Sequence, residues 1–277
     1  MSQLEVLCAT MHQKNFAKIQ AMNLQSDVVF ANQADRFAYD EAKFNGYTAR
    51  MVTTRQRGVG KNRNVALLYA TADICIFADD DLRYVDGFRD KITAAFEEIP
   101  AADVLIFNLT SQAPRSQRQH TTVRKCRFWN VFGYGTCRIA FKLNAVRKAN
   151  IWFSQLFGGG CQYPGGEDSL WLLEALRKGL KIYTYPAVVG VVKQEESTWF
   201  TGYNEEYFFG RGAWTQAAWP QWKYVLFLYY LIRLGNLATM PLRQMFRAMC
   251  AGAQAYQQSL IYREWAGGER YGGKNDV

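Results

Sequence analysis

Ala72-Asp73-Ile74-Cys75-Ile76-Phe77-Ala78-Asp79-Asp80-Asp81 is the stretch on which the reading of this chain turns. Ile74 to Ala78 is an apolar run about as long as one buried strand, and it stops in three consecutive carboxylates. A strand locked into a sheet holds the groups at its end in fixed positions. Three carboxylates side by side repel one another unless positive charge lies among them. A hard divalent cation such as Mg²⁺ or Mn²⁺ prefers oxygen ligands, is often shared with nucleotide phosphates, and supplies that charge. An acidic turn capping the next helix would be written the same way, because Asp is a favoured N-cap and turn residue. The stretch alone supports both readings equally.

Outward from it, Leu4–Met11, Asp27–Ala31, Tyr47–Thr53 and Val104–Phe107 read as further strands. Lys14–Met22, Val65–Ala70 and Val85–Ile99 read as helices between them. Strands alternating with helices indicate βαβ units and a mainly parallel sheet, in which ligands bind beyond the carboxyl ends of the strands. Thr10, Gln33, Asp35 and Asp79–Asp81 then fall on one rim. Ser111–Gly135 is polar, basic and then aromatic, an excursion from the sheet. Cys137–Lys142 suggests another strand and Asn144–Trp152 a short helix. The loop Phe157-Gly158-Gly159-Gly160 leads to Glu167-Asp168 and a helix that stops at Gly179. Lys181–Pro186 and Val188–Val192 look extended. Beyond Ser197 the chain turns aromatic, and Trp222–Tyr256 reads as helices. The expected organisation is a domain over 1–212, a helical extension over 213–266 and a frayed polar tail over 267–277.

The chain has 277 residues, is 49% hydrophobic and carries a formal net charge of +9. It has enough apolar residues for a sizeable core, and its charge points to an anionic partner. Between Asp103 and Glu167 there is no Asp or Glu, while Arg124, Lys125, Arg127, Arg138 and Arg147 are among the basic residues there. None of the six cysteines is at C-x-x-C spacing, which argues for a reduced, intracellular protein without a disulfide framework or zinc site. No signal peptide and no apolar run of about 18 residues is visible, so no spanning helix is expected.

Three further groups could carry chemistry. Arg55 to Asn64 leads into a helix whose first amides suit an anion, and Arg57, Lys61 and Arg63 could pair with a diphosphate. It is not a Walker A loop, since Gly60-Lys61 is followed by Asn and no Gly stands five residues earlier; an exposed basic turn is the alternative. Glu167-Asp168 suits a helix N-terminus through the backbone dipole, and a carboxylate there could equally serve as a general base. Trp199, Phe200 and Tyr203 could stack on a sugar ring or belong to a core. Trp222–Ile232 fits a core helix, an oligomer contact or, with its basic flanks, a membrane-surface helix.

Taken in order, Gly-x-x-x-Asn-Arg-Asn with its helix, the strand ending Asp79-Asp80-Asp81, and Gly165-Gly166-Glu167-Asp168 resemble the family 2 glycosyltransferases. Phe157–Ser169 and Glu196–Tyr203 resemble the subgroup of bacterial capsule, O-antigen and exopolysaccharide synthesis. The resemblance runs from about Leu4 to Gly212 and implies the GT-A fold, an α/β Rossmann-like sheet flanked by helices. It implies that Asp79 and Asp81 hold the donor ribose and an Mn²⁺ or Mg²⁺ ion, with Asp80 between them. It implies that Asp168 is the base that deprotonates an acceptor hydroxyl for inverting transfer, while Glu167 orients acceptor or base. Arg63 and Asn64 would lie near the nucleotide, with Thr10 and Asp35 at strand ends that meet the base. Many relatives carry a His after the second motif. Here the region reads Val191-Val192-Lys193-Gln194, so Lys193 is the candidate for that charge.

The expected donor is a UDP-sugar and the expected acceptor a saccharide or lipid-linked glycan bound with the help of Trp199. The expected place is the cytoplasm, peripheral on the inner face of the bacterial plasma membrane. A nucleotidyltransferase is the enzyme alternative, but Thr10-Met11-His12-Gln13-Lys14 offers no Gly-rich loop after the first strand. A catalytically inactive scaffold is another alternative. A nucleic-acid-binding module is disfavoured, because the basic residues gather around acidic motifs rather than along a groove-entering element.

Overall fold

The computed structural model describes residues 3–111, 119–192 and 202–258. The chain divides into two compact units, one of Met1–Gln155 with Glu167–Ser197, the other of Leu156–Gly166 with Thr198–Val277.

The first unit is a mixed sheet with helices on both faces. In chain order it comprises β1 (Leu4–Met11), α1 (Lys18–Ala21), β2 (Asp27–Gln33), β3 (Ala38–Phe44), β4 (Tyr47–Thr54), α2 (Val59–Tyr69), β5 (Ile74–Asp79), β6 (Leu82–Tyr84) and α3 (Phe88–Glu98). β7 (Val104–Ser111), β8 (Arg124–Lys125), β9 (Ile139–Lys142), α4 (Leu143–Lys148), α5 (Glu167–Arg177) and β10 (Ile182–Val192) complete it. The strands run β3-β4-β2-β1-β5-β9-β7-β10-β6, with β8 beside β10. The expected parallel core is present in β4-β2-β1-β5 and in β7-β10. Antiparallel strands enter at β9, between β5 and β7, and at the edges β3 and β6.

Alternate residues of the central strands feed two cores. Leu7, Val29, Cys75 and Phe77 pack on one face with Leu67 of α2 and Trp171 and Leu172 of α5. Val6, Cys8, Phe30, Ile74 and Ile76 pack on the other with Phe88, Ile92 and Phe96 of α3. Both faces are covered, which is why β1 and β5 read as continuous apolar runs instead of alternating ones.

Several elements differ from the sequence reading, among them the short strands β6 and β8, which it did not include. α1 is a single turn because Asn32 accepts from the Gln13 N–H and donates to the Gln13 carbonyl, holding residues 12–15 out of a helix. The edge strand β3 was not anticipated: its polar, charged residues obscure the Asn45-Gly46 turn, both positions of which have positive φ, the signature of a tight hairpin. α2 begins at Val59, so Lys61, Arg63 and Asn64 lie on a helix and not in the loop before it.

The second unit contains α6 (Glu205–Ala218), α7 (Lys223–Leu234) and α8 (Leu242–Gln258). α6 is capped by Asn204, whose side chain accepts from the Tyr207 N–H at 3.0 Å; the expected domain boundary at 212/213 falls inside this helix. Its core is Phe208, Phe227, Met245, Ala248 and Met249. α6 and α8 cross closely at two glycines. A Cβ on Gly212 would stand 1.9 Å from the Met249 carbonyl oxygen, and one on Gly252 1.9 Å from that of Phe209.

Candidate active site

The parallel register of β1 and β5 pairs Ala9 with Asp79, so Thr10 emerges beside the acidic triplet. The Thr10 hydroxyl donates to Asp80 at 2.6 Å. Lys18 of α1 reaches the same carboxylate at 3.1 Å, and Gln13 approaches it at 3.4 Å. Asn62 donates to the carbonyls of Thr10 and Ala31, pinning α2 to the ends of β1 and β2. Neither Gln13 nor Lys18 belongs to a sequence motif, and only the fold brings them to the rim. Asn62 is part of the Gly-x-x-x-Asn-Arg-Asn stretch, but its contacts with Thr10 and Ala31 could not be read from it.

Arg63 is the centre of the arrangement. Its side chain is only 5% exposed and donates to Asp79 at 3.0 Å and to Glu167 at 2.8 Å. Burial pulls its pKa down, but the charges of Asp79 and then Glu167 outweigh that, and the guanidinium is held charged more firmly than an ordinary arginine. The ring of Phe153 lies 5.4 Å from the guanidinium carbon. Asn64 fixes that ring, exchanging two 2.9 Å hydrogen bonds with the Phe153 main chain. The Arg-Asn pair of α2 therefore acts as cation and clamp. The amide of Asn64 is engaged with the main chain of Phe153.

The three carboxylates are not equivalent. Asp79 is neutralised by Arg63 and Asp80 by Lys18. Asp81 has no ion pair among the described residues. Its carboxyl is pushed above the usual range by burial first and then by the charge of Asp79, with Asp80 adding to the effect. The half-buried Cys137 thiol lies against Asp79; burial, then that charge, raises its pKa and keeps it neutral.

Among the described residues no three His, Cys, Asp or Glu side chains form a complete metal site by themselves. Mg²⁺ and Mn²⁺ need no such cage, since they are commonly held by one or two carboxylates together with substrate phosphates. A crowded Asp81 carboxylate without a cation of its own beside a neutralised Asp79 fits that mode.

Glu167 and Asp168 open α5. Glu167 is held by Arg63, while Asp168 is half-buried and accepts from the Ser169 N–H at 2.6 Å. One guanidinium thus joins the Asp79 motif to the Glu167-Asp168 motif, which lies far along the chain. Asp35 and Arg57 form a pair of their own on the rim beyond β2, with Arg57 also donating to the Ala34 carbonyl. Lys61 is half-buried and makes no ion pair among the described residues. Lys193 and Trp199 lie outside the described residues.

Residues 34–150 match the family model Glycosyl transferase family 2. That span holds Asp35, Arg57, Arg63 and the acidic triplet; Glu167 and Asp168 lie beyond it. Among solved structures, S. aureus TarS 1-349 in complex with UDP-GlcNAc is similar with a TM-score of 0.61 at 14% identity, covering 94% of this chain and 93% of that one. The same fragment in complex with UDP gives 0.57 at 14% identity, with the same coverage. The longer S. aureus TarS gives 0.54 at 13% identity, covering 99% of this chain and 46% of that one. At such identities the likeness establishes the fold, which is GT-A. No curated protein matches the chain by sequence.

Proposed function

We propose that the protein is an inverting glycosyltransferase that moves a sugar from a nucleotide-diphosphate donor, UDP-linked, to a saccharide hydroxyl in bacterial surface polysaccharide synthesis. The observation that carries this reading is Arg63 bridging Asp79 and Glu167. It puts the acidic strand end and the acidic helix start around one charge, as a donor site beside an acceptor base requires. The family match over residues 34–150 and the nucleotide complexes of TarS support the choice of chemistry and of UDP.

Asp81, with Asp79, would hold Mn²⁺ or Mg²⁺ on the donor diphosphate; the ion supplies positive charge to the departing nucleoside diphosphate. Thr10, Asp80 and the Asp35–Arg57 pair line the donor side. Lys61, which makes no ion pair among the described residues, is a candidate cation for the phosphates, with Lys193 a further one. Asp168 takes the proton of the acceptor hydroxyl. That oxygen then bonds to the anomeric carbon from the face opposite the leaving group, and the carbon–oxygen bond to the diphosphate breaks with its electron pair. Glu167, held by Arg63, positions Asp168, and Trp199 is the proposed acceptor platform. A lipid-linked glycan acceptor would place the protein peripherally on the inner face of the plasma membrane.

Asp168→Asn tests the base. It should fold as the wild type does and bind UDP with Mn²⁺, yet transfer sugar at least about 100-fold more slowly, the lower end of what a positioned general base contributes. Undiminished transfer would remove Asp168 from the mechanism.

A further inference from the structure

The second unit carries a helix arranged the wrong way round for a protein in water alone. In α7, Phe227 is buried in the unit's core, while Tyr224, Val225, Leu228, Tyr229 and Ile232 are exposed, Leu228 by 58% and Ile232 by 77%. At 100° per residue these five fall on one side of the helix, a contiguous apolar face and not scattered single residues. The face continues onto the start of α8 through rings: Tyr224 packs edge-on to Phe227, and Phe227 edge-on to the exposed Phe246.

Charge decides what covers it. From Tyr207 to Arg263 the sequence contains no Asp or Glu. Arg233, at the margin of the α7 face, and Arg243, next to the exposed Leu242 of α8, are both exposed and make no ion pair among the described residues. A second copy docking face to face would bring these arginines together with no carboxylate from either helix between them. An anionic lipid surface offers negative charge at headgroup level and hydrocarbon below it. Tyr224, Tyr229 and the exposed Trp222 suit the boundary between the two. α7 has 12 residues and is about 18 Å long, too short for a hydrocarbon core of about 30 Å; no described helix is long and apolar enough to cross a membrane. We infer that α7 lies in the plane of an anionic bilayer, inserting its Tyr224–Ile232 face while Arg233 and Arg243 meet the headgroups. This deepens the peripheral placement proposed above and does not depend on the transfer chemistry.

Flotation of the full chain with phosphatidylcholine vesicles, with and without phosphatidylglycerol, tests the inference. The chain should float with the phosphatidylglycerol vesicles and only weakly with phosphatidylcholine alone, and added salt should release it. Leu228→Ser with Ile232→Ser should cut this binding at least tenfold at an unchanged melting temperature, because both side chains are exposed. Arg233→Gln with Arg243→Gln should lower affinity for anionic vesicles on the order of tenfold and leave the weak phosphatidylcholine binding as it was. Failure of the wild type to float with anionic vesicles would overturn the inference. So would a dimer in light scattering that the Leu228→Ser, Ile232→Ser variant converts to monomer. Manganese-dependent hydrolysis of UDP-sugars by the same variants reports separately on the transferase reading.

Discussion

Arg63 makes the sharpest claim at the scale of single residues. Its guanidinium holds Asp79 and Glu167 together from a nearly buried position. Arg63→Met leaves those two carboxylates without their shared cation. Breaking a buried pair costs roughly 3–5 kcal/mol, and the half-exposed Asp79 points to the lower end, about 3 kcal/mol. Denaturant unfolding should show that loss, and turnover at saturating donor should fall at least tenfold. Arg63→Lys keeps the charge but lacks the planar fork that reaches two partners, so it should lie between. A Met variant as stable and active as the wild type would sink the account of the site. Asp86 offers a pH test away from that site. Hydrogen bonds from Asn23 and Gln25 hold its carboxyl below the usual range. Their stabilisation is present above the ordinary aspartate pKa and is lost as pH falls through the depressed folded-state value. In Asn23→Ala, NMR titration should find the Asp86 pKa moved up toward the ordinary range. The Asp79–Asp81 triplet and Glu167-Asp168 could be picked out of the sequence as candidates only through their order along the chain, because acidic residues at a turn or a helix start also serve as caps. That Arg63 pairs with carboxylates of both motifs could not be read, since its partner Glu167 is remote in the chain.

At the scale of elements, the approach of α6 and α8 sets a steep steric limit. Gly252→Val would place a branched side chain where even one carbon meets the Phe209 carbonyl at 1.9 Å. Overpacking of this kind typically costs about 1–3 kcal/mol, and here the obstacle is main chain, so the upper end applies. A melting temperature lowered by several degrees is expected; an unchanged one would mean that the helices part easily. The strands β1, β5 and β7 were legible because they are buried on both faces and read as unbroken apolar runs. α1 and β3 were not. Asn32 takes the main chain of residue 13 out of helical reach. β3 lies at an edge, where one side faces solvent and a charged sequence such as Tyr39-Asp40-Glu41 is tolerated.

For the whole molecule, the test is linkage between ligand and stability. A ligand bound only by the native state stabilises it by about 2.7 kcal/mol at one hundred times its dissociation constant. UDP with Mn²⁺ should therefore raise the melting temperature by roughly 5 °C or more, and EDTA or Asp81→Asn should abolish most of that shift. A nucleotide shift indifferent to both would refute the metal assignment. The alternation of apolar runs with helical patterns, the acidic motifs and the surplus of positive charge are local properties, since a residue's hydrophobicity and charge are its own; by themselves they determined an α/β sheet and marked its strand ends as the candidate site. Which strands are neighbours, which carboxylate is left without a cation and which face of α7 looks outward are properties of pairs brought together from distant parts of the chain. Only the tertiary structure decided them, because burial and charge pairing depend on what packs against a side chain and not on the side chain alone.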